Sequence, residues 1–185
     1  MHPLYLTRIE ELQHQLSSYQ EVLYANFNRK LLICKENGLL MCIELLGNGL
    51  RNLLAAPSIK YSAWPPSDTT SLRTSGGVYH FYELDTKKNI SLYVGKAGLG
   101  AGSWNLFKRL SQHFQTSQTN TLLGKASKAS GTPPEATRTS FCQRPIHLQW
   151  LTIATQSHDL QAARSELFRL ECFCKAVLNP AFTDA

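Results

Sequence analysis

Apolar positions recur at helical and strand spacing along most of the chain. Near its start they follow one another at intervals of three to five: Leu4, Ile9, Leu12, Leu16 and Tyr19. This spacing predicts an amphipathic helix over about residues 6–17. The next segment has two interpretations, because Ser18 to Glu21 is typical of the cap of a second helix, whereas Asn37-Gly38 between apolar runs is typical of a β-hairpin. The pattern does not decide between them.

A stretch rich in Pro, Ser and Thr interrupts the pattern between residues 56 and 75. Few charges and almost no apolar periodicity are typical of a connection between folded units. We therefore expect three parts: a mainly helical N-terminal extension over residues 1–55, a linker over residues 56–75, and a folded domain over residues 76–185.

Two β-rich runs open the predicted domain, at residues 77–84 and 90–95, with a short polar turn between them. We expect an antiparallel hairpin centred on Thr86 or Lys87. This register puts Tyr79 and Tyr93 on one side. The apolar residues expected on the other side are Val78, Tyr82, Leu84, Leu92 and Val94.

Helical and strand patterns alternate in the rest of the chain. A helix is expected over about residues 104–114 with Ser103 as its N-cap, followed by a mobile basic loop around a short helix over residues 115–140. Residues 145–154 are expected to form a third strand, and a last helix to run from about residue 157 or 159 to Leu178. The prediction is an α+β fold in which a small three-stranded antiparallel sheet is flanked by helices.

Composition narrows the class of protein. Of 185 residues, 43% are hydrophobic and 17% are charged, which is typical of a globular protein. No apolar run approaches the roughly 18 residues of a membrane helix, and the first residues do not resemble a signal peptide. Five scattered cysteines without a C-x-x-C pair indicate free thiols in a reducing compartment. We therefore expect a cytoplasmic protein that does not contact a membrane.

The net charge of +6 is concentrated in the second half of the chain, whereas residues 1–70 carry six charges of each sign. Between residues 87 and 144 one acid, Glu135, faces nine basic residues: Lys87, Lys88, Lys96, Lys108, Arg109, Lys125, Lys128, Arg138 and Arg144. Such an excess is suited to a polyanion, although basic surfaces also serve solubility. The neutral residues 1–70 leave open a protein partner or self-association through that segment.

The glycine-rich stretch over residues 95–102 does not fit a nucleotide-binding loop. A dinucleotide fingerprint that starts at Gly98 requires Gly or Ala where the chain has Ser103, and no Gly-Lys-Ser/Thr closes a P-loop.

The last predicted helix carries a carboxylate on its apolar stripe. Glu171 falls in register with the apolar residues of that helix: Leu160, Ala163, Leu167, Cys174 and Leu178. Burial of an unpaired carboxylate is costly, so Glu171 requires a cation, a network of donors or a metal. An ion pair with an arginine and a metal site remain equal alternatives from the pattern. Glu166 lies off the stripe and is expected to be solvated.

Four short motifs follow one another along the chain: Gly77-Val78-Tyr79, then Tyr93 to Ala97, then Leu106 to Leu110, then Glu171 ahead of Asn179-Pro180. In this order they resemble the GIY-YIG nuclease family. The resemblance spans about residues 76–183, and Arg109 with His113 one turn later is similar to GIY-YIG restriction endonucleases. Two features depart from the family: residues 98–103 look like an insertion, and Thr183 stands where many members have Asn.

The resemblance implies a metal-dependent endonuclease that hydrolyses DNA phosphodiester bonds. It implies that Tyr79 is the general base, that Lys96 assists its ionisation or orients the water, and that Arg109 grips the scissile phosphate. Tyr93 and His113 would position phosphate and nucleophile, and Glu171 would bind a single Mg²⁺ or Mn²⁺ ion. Contacts with the DNA backbone are expected from Lys87, Lys88, Lys108, Lys125, Lys128 and Arg138. The alternative is a catalytically inactive GIY-YIG fold that serves as a nucleic-acid-binding or assembly module.

Overall fold

The computed structural model describes residues 33–86, 88–98, 105–153 and 160–183. The chain divides into two compact units, residues 1–55 and residues 56–185. The described part of the first unit is helix α1 (Ile33–Ala55). Because α1 runs through Asn37-Gly38, the hairpin alternative for that segment is wrong. The predicted helix over residues 6–17 and the cap at residues 18–21 lie outside the described residues.

The second unit is built on a four-stranded antiparallel sheet. Its strands are β1 (Ser58–Lys60), β2 (Gly76–Glu83), β3 (Ile90–Ala97) and β4 (Ile146–Ile153), in the order β1-β4-β2-β3. The α+β class is as predicted, but the sheet has one strand more than the three expected. The additional strand β1 has three residues, which is too short to give an alternation that the sequence would reveal.

Residues 56–75, predicted to be a linker, contribute instead to the folded unit. Strand β1 pairs with β4, a 3-10 turn covers Tyr61–Ala63, and helix α2 covers Thr70–Thr74. Tyr61 is 2% exposed and stacks on Phe114 with ring centroids 4.4 Å apart. Isolated aromatic residues thus attach a segment whose composition is otherwise typical of a connection.

The hairpin of β2 and β3 has the predicted register over most of its length. Tyr79 pairs with Gly95 and Phe81 with Tyr93, so Tyr79 and Tyr93 share a side as expected. A bulge after Phe81 shifts the register near the turn. Leu92 consequently packs in the same apolar cluster as Tyr79 and Tyr93, and the prediction that it faces the other side is wrong.

Among the described residues of the unit, four further helices follow: α3 (Leu106–Gln112), α4 (Leu122–Ser130), α5 (Pro134–Gln143) and α6 (Leu160–Leu178). Helix α3 begins later than predicted, and its N-cap is Asn105 rather than Ser103, since the Asn105 side chain accepts a 2.9 Å hydrogen bond from the Lys108 N–H.

Helices α4 and α5 occupy the region where a mobile basic loop around one short helix was expected; α4 is a short helix in that region, as predicted, whereas α5 was not predicted. The Thr121 side chain caps α4, and Gly131 at φ 65° ends it in the left-handed region that favours glycine. Buried Leu122, Leu123 and Phe141 hold the pair against the core. Short helices with so few apolar residues give a weak periodic signal, which explains the missed prediction.

Helix α6 packs against β2 and β3. It buries Ala163, Leu167, Leu170 and Cys174 with Glu171, which supports the predicted helical phase. Within the described residues, no helix combines the length and apolarity required to cross a bilayer.

Candidate functional site

The phenol of Tyr79 lies at the centre of the candidate site. Strand β2 places it in the interior, where the side chain is 0% exposed. Its hydroxyl lies 2.9 Å from His113 Nε2 and accepts a 3.2 Å hydrogen bond from Arg109 Nε. A side chain at Gly95, which pairs with Tyr79 across the hairpin, would collide with the phenol. Glycine at position 95 therefore leaves the space that the Tyr79 ring occupies.

Helix α3 and the residue after it supply the two partners of Tyr79. Arg109 and His113 are four residues apart, so both project from one side of the helix. The guanidinium also donates a 2.8 Å hydrogen bond to Gln112 Oε1 and a 3.4 Å hydrogen bond to the Asn120 carbonyl. These contacts fix the orientation of a planar group that could bind a phosphate with two parallel hydrogen bonds.

The backbone fixes the tautomer of His113. The Leu122 N–H at the start of α4 donates a 2.9 Å hydrogen bond to His113 Nδ1, so that nitrogen carries no proton. The proton of a neutral imidazole then resides on Nε2, which donates to the Tyr79 hydroxyl. The Tyr79 oxygen thus accepts from two donors, His113 and Arg109.

Tyr93 completes the aromatic part of the site. Its ring stacks on that of Tyr79 with centroids 6.3 Å apart and planes 17° apart, and it meets His113 edge-on at 4.9 Å. The ammonium of Lys125, from α4, lies 5.6 Å from the centre of the Tyr93 ring and donates a 2.8 Å hydrogen bond to the Thr183 carbonyl.

Burial and the charge of Arg109 change the pKa of Tyr79 in opposite directions. Burial raises its pKa most strongly, Tyr93 and Glu171 raise it further, and the charge and hydrogen bond of Arg109 lower it. Burial disfavours the charged form of Arg109, but Tyr79 and Tyr93 outweigh it and raise the pKa of the guanidinium. Arg109 is therefore charged, and Tyr79 is a neutral phenol in this state of the protein.

A second group of charges lies around Glu171. The residue is 6% exposed, and its two oxygens contact two ammonium groups: Lys96 Nζ at 2.6 Å and Lys175 Nζ at 3.0 Å. The predicted cation is thus present, but it is a pair of lysines rather than an arginine. Glu166 is exposed, as predicted.

The chemistry of Glu171 fits a hard divalent cation that keeps most of its water. The described residues contain no group of three or more His, Cys, Asp or Glu side chains. A single carboxylate with open positions is a common arrangement for Mg²⁺, which takes its remaining ligands from water and substrate phosphate. Before such an ion could bind, the ammonium of Lys96 or Lys175 would have to move away from the Glu171 oxygen that it contacts.

The structure brings Tyr79, Tyr93, Arg109 and His113 into one cluster, and it pairs Lys96 with Glu171. Among the predicted DNA contacts, Lys88, Lys108, Lys128 and Arg138 are exposed, and Lys87 lies outside the described residues. Lys125 was predicted to lie outside the site, but it borders the site against Tyr93.

Sequence reasoning missed three groups at the site: Gln112, the Leu122 amide and Lys175. The spacing of Lys175 four residues after Glu171 could have revealed an ion pair, since residues at that interval are neighbours on a helix. Gln112 and the Leu122 amide gave no signal, because their roles depend on where α4 meets α3.

Comparisons with protein-family models, with curated proteins and with solved structures found no match for this chain.

Proposed function

We propose that the unit over residues 56–185 is a metal-dependent endonuclease of the GIY-YIG type that hydrolyses DNA phosphodiester bonds. The observation that carries this proposal is the hydrogen-bonded cluster of Tyr79, Arg109 and His113, in which motifs 30 and 34 residues apart converge on one phenol oxygen. A phenol, a guanidinium and an imidazole in contact provide a proton acceptor, a phosphate clamp and a positioning group.

In the proposed reaction Arg109 binds the non-bridging oxygens of the scissile phosphate, and Tyr79 removes a proton from the attacking water. Tyr79 must first release its own proton to solvent, because only the phenolate can accept a proton from the attacking water. Once it is a phenolate, the Nε–H of Arg109 and the Nε2–H of His113 stabilise the charge. The Arg109–Gln112 hydrogen bond holds the clamp in position.

Glu171 is the residue that would hold a Mg²⁺ or Mn²⁺ ion. The ion would supply neutralisation of charge on the phosphate and on the leaving 3′ oxygen. Lys96, 2.6 Å from the Glu171 carboxylate, would keep its positive charge beside that carboxylate when the carboxylate turns to the metal. DNA is the proposed partner because the exposed cations of the unit favour a polyanion.

The test is cleavage of plasmid, single-stranded and branched DNA with Mg²⁺, Mn²⁺ or chelator. Tyr79→Phe, Arg109→Ala and Glu171→Gln should each reduce metal-dependent cleavage by orders of magnitude, because residues that act as a unit fail together. Glu166→Gln, an exposed carboxylate on the same helix, is the matched control and should cleave like the wild type. Full activity of the Glu171→Gln protein would disprove the metal site.

Burial of the cluster favours one second candidate, an inactive fold that serves as a nucleic-acid-binding or assembly module. Tyr79 and His113 are 0% exposed and Tyr93 is 1% exposed, as in a structural polar cluster. In that case the wild type would not cleave DNA, and Arg109→Ala would lower the melting temperature by several degrees. Thermal denaturation of this variant beside the cleavage assay separates the two functions.

A further inference from the structure

Both oxygens of the Glu171 carboxylate are held by ammonium groups. Lys96 Nζ lies 2.6 Å from Oε2, and Lys175 Nζ lies 3.0 Å from Oε1. Since the carboxylate side chain is only 8% exposed, few directions remain for another ligand. The group of two lysines and one glutamate also carries excess positive charge. A divalent cation that approaches Glu171 must therefore displace an ammonium and meet repulsion from the other.

The two lysines are attached in different ways. Lys96 comes from β3, and its ammonium also lies 4.8 Å from the centre of the Phe168 ring. Lys175 lies one turn after Glu171 on α6, so it reaches the carboxylate by the spacing of the helix itself. Its side chain is 23% exposed, which allows the ammonium to turn to another anion without a change in the backbone.

We propose that Lys175 competes with a divalent cation for Glu171, so that the carboxylate binds metal weakly until an anion draws Lys175 away. The identity of that anion, a phosphate of the DNA backbone, rests on the proposed function. A phosphate is attracted by the same positive charge that repels the metal. Nucleic acid therefore binds before the metal, and Lys175 acts as a positioning residue that weakens metal binding in the free protein.

The test measures Mn²⁺ binding to the full chain by calorimetry in the absence of DNA. Lys175→Met should tighten Mn²⁺ binding about tenfold, because one ion pair and one repulsive charge are removed from a partly buried site. Lys175→Gln should give the same gain, and Lys175→Arg should leave the affinity at the wild-type value. The control Lys60→Met removes an equal charge from an exposed position on β1 and should change nothing.

A second measurement uses duplex DNA in the Tyr79→Phe background, with the matched Glu171→Gln protein as the blank for Mn²⁺ bound by the DNA. DNA should tighten Mn²⁺ binding by a larger factor when Lys175 is present than when Lys175 is Met, because only the wild type also gains from the departure of the ammonium. An affinity of Lys175→Met within twofold of the wild type, or the same gain in Lys60→Met, would overturn the inference.

Failure of this inference differs from failure of the proposed function. DNA cleavage by the wild type with no gain in Lys175→Met would leave the nuclease intact and remove the competition. Tighter Mn²⁺ binding in Lys175→Met that disappears in the Glu171→Gln, Lys175→Met double variant supports the competition even if the protein cleaves no DNA.

Discussion

The Tyr79 hydroxyl combines a raised pKa with two donors that favour its ionised form. Because burial raises the pKa of the Tyr79 phenol, only a small fraction of it is phenolate. This fraction increases as pH increases. If Tyr79 is the general base, cleavage should rise by up to about tenfold per pH unit between about pH 6 and 9, with no plateau near neutrality. Rates under single-turnover conditions test this, with DNA affinity measured at each pH as the control. A plateau by pH 7 would contradict the role of Tyr79.

Gly95 offers a test of the same site that leaves its chemistry unchanged. A Cβ at this position would collide with the Tyr79 phenol, so Gly95→Ala should displace the ring from Arg109 and His113. We expect a loss of cleavage and a destabilisation of about 1–3 kcal/mol, as is typical of overpacking. Gly47→Ala on α1 is the control, since a Cβ at this position would meet no atom of the described residues within 4 Å beyond its own helix backbone and chain neighbours. Wild-type activity of Gly95→Ala would show that the position of the phenol is not critical.

At the scale of elements, strongly periodic segments could be predicted and short ones could not. The alternation in β2 and β3 gave the register that places Tyr79 beside Tyr93, and the stripe of α6 gave the buried position of Glu171. Strand β1 was not predicted, because three residues are too few to show a periodic pattern. The bulge after Phe81, which reorients Leu92, depends on packing between strands and leaves no local pattern in the sequence.

The segment with β1 gives a prediction at this scale, because Tyr61 is the most buried of the aromatic residues that attach it to the core. Tyr61 stacks on Phe114, and its hydroxyl donates a 3.0 Å hydrogen bond to the His113 carbonyl. Tyr61→Ala should reduce the free energy of unfolding by about 3–5 kcal/mol, and Tyr61→Phe by about 1 kcal/mol. Urea denaturation measures both, with the exposed neighbour Ser62→Ala as control. Equal stability of all three variants would mean that the segment is a linker after all.

For the whole molecule, the sequence predicted which side chains lie close together better than it predicted their contacts. Order along the chain brought Tyr79, Arg109 and His113 together as candidates, but the partners of Glu171 proved to be Lys96 and Lys175. Which side chains form contacts depends on the distances between elements. These distances depend on how α3, α4 and α6 pack. A pattern within one element contains no information about that packing.

The basic side chains of the unit provide the last prediction, at the scale of the whole surface. Lys125 borders Tyr93, so its substitution would disturb the site as well as a DNA contact. It is therefore left unchanged in this test. Lys128 and Arg138 are exposed on α4 and α5. If both contact the backbone, the double alanine variant should weaken binding equally for unrelated DNA sequences and reduce the slope of log K against log salt by about two.

The control for that measurement is the pair Lys60→Ala and Arg169→Ala, which removes the same two charge types from exposed positions on β1 and α6. It should lower affinity only slightly, because distant surface charges are screened at physiological salt. An equal loss in both double variants would show that net charge alone attracts the DNA. An unchanged slope in the Lys128 and Arg138 variant would exclude α4 and α5 from the path of the backbone and favour Lys88 and Lys108 instead.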